Sequence, residues 1–148
     1  MINKNEIYMN IAFEISKCSK CVSKQVGCIA VKNDRILASG YNGTPSGYKN
    51  CNEYFDYLNF NRQEHHLWSN KYEVHSELNL INFCAKYGIE LDGSGLYVTL
   101  RPCFQCSKNI IQSGIKRIYY KDEYDLELSE KVEIDDFLKD NKIEIYKL

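Results

Sequence analysis

The sequence predicts an α/β fold, a three-layer α/β/α arrangement built on a five-stranded mixed sheet with helices on both faces. Segments of helical and extended periodicity alternate along the chain. Their order is helix, two strands, helix, strand, helix, strand, helix, strand. A chain of 148 residues is long enough to bury one substantial core. No internal repeat, low-complexity tract or linker divides it, so residues 1–148 are expected to form a single domain.

Each element has its own signal. Ile7, Ile11, Ile15 and Cys18 recur at helical spacing and predict an amphipathic helix over residues 3–18. Val26 to Val31 reads as a strand. Asn33-Asp34 marks a turn, and Arg35 to Tyr41 returns as a second strand. Residues 40–47 (Gly-Tyr-Asn-Gly-Thr-Pro-Ser-Gly) form a loop rich in types that tolerate unusual backbone angles. Residues 48–73 are aromatic and polar with no clear period and read as an insertion packed near the site. Val74, Leu78, Ile81 and Ala85 predict a helix with His75 and Glu77 in its first turn, closed by Gly88. Leu96 to Leu100 is a short buried strand. Pro102 suits the first turn of the next helix, where its missing N–H has no partner anyway, and Cys103 and Cys106 then share a face. Ile115 to Tyr120 predicts a strand, Glu130 to Lys139 a helix and Ile143 to Tyr146 a last strand.

Composition narrows the function. A formal net charge of −1 and an isoelectric point near 6.3 leave no electrostatic footprint for a long nucleic acid. No run is apolar enough to span a membrane, and no secretory signal is recognisable. Seven cysteines in such a chain point to a reducing compartment and metal binding, so a cytoplasmic protein is expected.

The chemistry concentrates between His75 and Cys106. His75-Ser76-Glu77 and Pro102-Cys103-Phe104-Gln105-Cys106 make H-x-E followed by P-C-x-x-C, the signature of zinc nucleobase deaminases. One imidazole and two thiolates give zinc three protein ligands and leave a fourth position for water. Such coordination lowers the water's pKa from about 9 towards about 7. Glu77 is too close in sequence to His75 for a comfortable fourth ligand and is suited to proton transfer. Alone, H-x-E would be an ordinary histidine, and C-x-x-C could belong to a zinc knuckle or a redox pair. The ordered conjunction of both motifs is what favours the catalytic reading.

Further segments carry a resemblance to one family. They are Gln25-Val26-Gly27-Cys28, the 40–47 loop, Asn50-Cys51, Trp68, His75-Ser76-Glu77-Leu78-Asn79, Leu96 to Leu100, Pro102-Cys103 with Cys106, Gln112 to Lys116, and Tyr124-Asp125. Over residues 10–125 the chain resembles the deoxycytidylate (dCMP) deaminases of phage and viral type, within the cytidine deaminase superfamily. The resemblance implies the cytidine deaminase-like fold and hydrolytic deamination of dCMP to dUMP and ammonia, which supplies thymidylate synthesis. Glu77 would move protons, Asn42 would hold the sugar, and Ser23, Lys24 and Tyr120 would meet the 5′-phosphate. It also implies a homohexamer in the cytoplasm (the host's, if viral), activated by dCTP with Mg²⁺ and inhibited by dTTP. The effector would lie against Gly40, Tyr41, Asn42, Gly43 and Thr44, with Lys86 at a subunit contact. No nucleic acid polymer or membrane is an expected partner.

Two departures stand out: the family usually carries small residues where Leu80 and Arg101 stand. Leu80 could narrow the pocket or repack the helix. Arg101 could reach a phosphate, which admits a bifunctional dCMP/dCTP deaminase.

A second set of donors lies upstream. The resemblance implies a structural zinc held by Cys21, Cys51 and His65. Cys18 is either the fourth ligand of a Cys₃His site or the last apolar position of the first helix. Cys28 and Cys84 are explained as ordinary buried cysteines. Two other readings compete. A deaminase of free cytidine, guanine or RNA adenosine is disfavoured by the Gly-Tyr-Asn-Gly loop and the absence of basic charge. A zinc-stabilised binding module has no use for Glu77.

Overall fold

The structure is a computed structural model that describes residues 1–148. Its elements are α1 (Lys4–Ser16), β1 (Gly27–Lys32), β2 (Arg35–Tyr41), α2 (Cys51–Tyr54), α3 (Arg62–Tyr72), α4 (Ser76–Tyr87), β3 (Gly95–Leu100), α5 (Phe104–Ser113), β4 (Arg117–Asp122), α6 (Leu128–Asp140) and β5 (Glu144–Lys147).

The strands form one five-stranded sheet in the order β2-β1-β3-β4-β5. β1 runs antiparallel to both β2 and β3, while β3, β4 and β5 are mutually parallel. Side chains alternate across the sheet, as the pleat requires. Cys28 and Ala30 of β1 and Leu96 and Val98 of β3 enter the larger core with Leu80 of α4, Ile110 of α5 and Leu138 of α6. Ile29, Val31 and Tyr97 point the other way, onto Met9 and Ala12 of α1. The expected three layers are therefore present, with α1 alone on one face. The hairpin turn falls at Asn33 and Asp34, both with positive φ.

Three local expectations shift. Residues 48–73 contain two helices. Helix α3 starts at an Asn61 cap, whose side chain accepts from the Glu64 amide, and its buried residues His65 and Trp68 lie one turn apart. They join Cys21, Val22 and Cys51 in a small separate core against Phe55 and Phe60. Aromatic and metal-ligand types hid this apolar face from a hydropathy pattern. Pro102 precedes the α5 cap and is fully buried; Cys103 is the cap, its Sγ accepting from the Cys106 amide at 3.4 Å. β4 begins at Arg117, because Gly114 leaves α5 at φ +89° and Ile115 is buried in the connector, where it reads as strand.

Candidate active site

Two helix starts meet at the carboxyl end of β3 and the open end of the β1–β2 hairpin. His75 caps α4 and Cys103 caps α5. The two helices pack side by side on one face of the sheet, so their first turns converge. The approach of α4 to β2 is close: a Cβ on Gly40 would collide with the Ser76 carbonyl and come within 2.9 Å of the Leu80 amide nitrogen. Only glycine lets the strand touch the helix that carries His75 and Glu77.

His75 Nδ1 lies 3.3 Å from Cys106 Sγ and 3.6 Å from Cys103 Sγ. Metal–ligand bonds of about 2.0–2.3 Å at tetrahedral angles put neighbouring donors about 3.5 Å apart, so the three atoms fit one zinc ion. Cys103 is drawn down to about 4 by its hydrogen bond with Cys106 and by the nearby His75. Cys106 is pushed up by that same contact and by burial. His75 is raised by its bond to Cys103.

Glu77 is buried beside this triangle, 4 % exposed. Burial raises its carboxyl, and the Ser76 hydroxyl opposes the shift by donating to Oε1 at 2.6 Å. A carboxylate with a raised pKa in a cleft suits proton transfer near neutral pH. The cleft measures about 710 Å³ and includes Glu77, His75, Cys103, Asn42, Ser23 and Lys24 in its wall.

Several expected site residues take specific places. The Asn42 amide is held at both ends: Oδ1 accepts from the Val26 amide at 2.9 Å and Nδ2 donates to the Lys24 carbonyl at 2.8 Å. Lys24 Nζ sits 5.5 Å over the Tyr124 ring. Tyr124 also borders the cleft, and its buried hydroxyl has no partner. Tyr120 does not reach the cleft wall; it is buried and its hydroxyl donates to Glu123 at 3.1 Å. Leu80 is fully buried in the core and takes no part in the cleft wall, so its size is absorbed by packing. Arg101 borders the cleft, but its guanidinium is bonded to Asp135 at 2.8 and 3.1 Å, which removes it as a free phosphate contact.

The second donor set assembles with one change of member. His65 Nε2 lies 3.5 Å from Cys21 Sγ and 3.3 Å from Cys51 Sγ. The fourth group is Glu73, with Oε1 3.3 Å from Cys21 Sγ and 3.6 Å from His65 Nε2. Cys18 is exposed and outside the cluster; the chain turns after α1 and leaves its thiol behind. Glu73 is 2 % exposed in its side chain, and its Oε2 is buried with no partner. A buried carboxylate against two thiols and an imidazole fits a cation. Burial raises Cys21 to about 12 and lifts Cys51, and it lowers His65. The sequence signal for Glu73 was available: it stands two residues before His75, at the end of the same segment.

The loop expected to take an effector lines a second cavity of about 360 Å³, with Tyr41, Asn42, Gly43 and Thr44 in its wall. Thr44 Oγ1 is buried there without a partner. Gly40, buried in β2, and Lys86, exposed over the Tyr87 ring, do not border it.

A mixed sheet that aims two helix caps at one His-Cys-Cys triangle, with a buried glutamate alongside, is the architecture of zinc-dependent nucleobase deaminases. The family model for the cytidine and deoxycytidylate deaminase zinc-binding region matches residues 2–122, and the chain belongs to that family. Its relatives include the deoxycytidylate deaminase of Enterobacteria phage T4, 36% identical over an alignment of 174 residues covering 97% of this chain and 89% of that protein. The human deoxycytidylate deaminase is 38% identical over 123 residues, covering 80% of this chain and 65% of that one. The crystal structure of the dCMP deaminase from cyanophage S-TIM5, in complex with dCMP and dUMP, matches with a TM-score of 0.79 at 37% identity, covering 100% of this chain and 99% of that one.

Proposed function

We propose that this chain hydrolytically deaminates dCMP to dUMP and ammonia, making the precursor for thymidylate synthesis in the cytoplasm. The observation that carries the reading is the His75–Cys103–Cys106 triangle sharing one cleft with buried Glu77. His75, Cys103 and Cys106 would hold zinc, which when bound supplies a Lewis acid that makes water available as a nucleophile near neutral pH. Glu77 takes the proton released as water adds to carbon 4 of the cytosine. It delivers that proton to ring nitrogen N3, then takes the second proton from the hydroxyl now on carbon 4 and passes it to the departing amine, so ammonia leaves and a carbonyl remains. The Ser76 hydroxyl fixes Oε1, which leaves Oε2 for this traffic. Asn42, tied to the backbone at both ends, is a rigid group for a sugar hydroxyl. Ser23 and Lys24 are the candidates for the 5′-phosphate.

The dCTP-substrate alternative rested on a free charge at Arg101, and that charge is neutralised by Asp135. A monophosphate is therefore favoured. Cys21, Cys51, His65 and Glu73 would hold a second, structural zinc. The cavity at Tyr41 to Thr44 is the candidate site for dCTP with Mg²⁺ as activator and dTTP as inhibitor, acting on a homohexamer. No helix is long and apolar enough to cross a membrane.

An ultraviolet assay with dCMP, dCTP, cytidine and an RNA stem-loop tests the assignment. Turnover of dCMP well above the others supports it, and preference for any other overturns it.

A further inference from the structure

Arg101 stands two residues before Cys103, and its side chain is almost wholly enclosed at 5 % exposure. A buried guanidinium is tolerated only when paired and hydrogen-bonded. Here Nη1 and Nη2 make a two-point bond to the Asp135 carboxylate on α6. Nε lies 3.6 Å from Glu123 Oε1, and Cζ lies 4.9 Å over the Tyr120 ring. Glu123 in turn faces Lys131 at 3.5 Å and Lys147 at 3.7 Å. The Arg101 amide donates to the Asp122 carbonyl at 2.8 Å, so backbone and side chain of one residue are both fixed.

On the other side of Cys103, the Phe104 ring packs on Phe137 of α6 with centroids 5.3 Å apart. The turn that presents the Cys103 thiol is thus braced against α6 twice, at Asp135 and at Phe137. The charged partners of Arg101, at positions 123 and 135, all lie beyond residues 2–122, the part matched by the family model.

We propose that Arg101 is a positioning residue: through Asp135 it makes α6 a splint that holds Cys103 in ligand geometry, and it does not bind the substrate phosphate. The inference rests on the zinc-deaminase reading of the cleft. Groups outside the ligand shell that fix ligand orientation commonly alter metal affinity or activity by about 10–100-fold when removed. A salt bridge two residues away is expected at the lower end of that range.

The test uses the full-length zinc enzyme with Asp135→Asn, Arg101→Lys and Arg101→Ala. Asp135→Asn keeps the side-chain shape on a partly exposed helix position, so it guards against a variant that fails to fold. Zinc transfer to a coloured chelator is followed over time, and the phase missing in Cys103→Ser identifies the catalytic ion. Asp135→Asn and Arg101→Ala should each speed that phase about tenfold and lower kcat, with KM for dCMP within about twofold of the parent; Arg101→Lys should recover part of the loss. Unchanged release and unchanged kcat in both variants overturn the splint. A large rise in KM on Arg101→Ala, with kcat and zinc release intact, assigns Arg101 to the phosphate and also overturns it. Failure of dCMP turnover in the parent chain would defeat the substrate assignment, while the chelator measurement would still report on the splint.

Discussion

Glu73 and His75 stand two residues apart on one extended segment, and each delivers its side chain to a different donor cluster. Between them Val74 is paired with the loop: its amide donates to the Gly43 carbonyl at 2.8 Å, and the Gly43 amide returns a bond at 3.1 Å. A three-residue span pinned by the 40–47 loop therefore joins the two centres.

Metal content tests the donor sets. The parent chain should carry two zinc ions, and Cys51→Ser or Glu73→Gln should carry one. Cys18→Ser should still carry two, because its thiol lies outside the cluster. Loss of the second ion should lower Tm more than a typical loop change, since metal-binding energy is also folding energy. One ion per chain in the parent, unchanged by Cys51→Ser, would remove the second centre.

His75→Ala and Cys103→Ser should each lose the catalytic ion and activity together, because three donors are the minimum of a catalytic zinc site. Metal analysis beside turnover checks this. Full activity in a variant that has lost the ion would separate metal from chemistry.

Gly40→Ala should destabilise the chain by about 1–3 kcal/mol, an overpacking cost, and lower Tm by several degrees. The added methyl presses on the Ser76 carbonyl and hence on the turn that carries Glu77, so kcat should fall as well. A thermal melt and a kcat equal to the parent's would show that β2 and α4 have slack between them.

These outcomes also mark what the sequence could and could not reveal. The H-x-E and P-C-x-x-C motifs identified His75, Glu77, Cys103 and Cys106, since their chemistry demands those types at short spacing. Short apolar runs in 26–31 and 96–100 located β1 and β3 within a residue, because both are buried on two faces between packed layers. Helix α3 was missed because its inner face is made of His65 and Trp68, types that a hydropathy pattern does not read as core. Cys18 was plausible by C-x-x-C spacing, yet the turn after α1 decides which thiol faces inward, and that is a tertiary outcome. Arg101 read as a phosphate contact because a local sequence does not reveal Asp135, thirty-four residues on. Tyr120 lies off the cleft wall, with its hydroxyl donating to Glu123, three residues on.

Regulation and assembly have a joint test. The dCMP saturation curve should shift to lower concentration with dCTP and Mg²⁺ and to higher with dTTP, while light scattering gives the mass of six chains. A nucleotide can bias the site only through different affinities for two states. A hyperbolic curve indifferent to both nucleotides would defeat the regulation, and a monomer would defeat the assembly independently.

The most direct test of the central claim compares the parent chain with Glu77→Gln, both carrying the catalytic zinc, in an ultraviolet assay of dCMP with dUMP and ammonia quantified as products. The parent should convert dCMP to equal amounts of both, and Glu77→Gln should keep its zinc while losing at least about 10²-fold in kcat. Near-parental turnover by zinc-loaded Glu77→Gln, or no dUMP from the parent chain, would contradict the account.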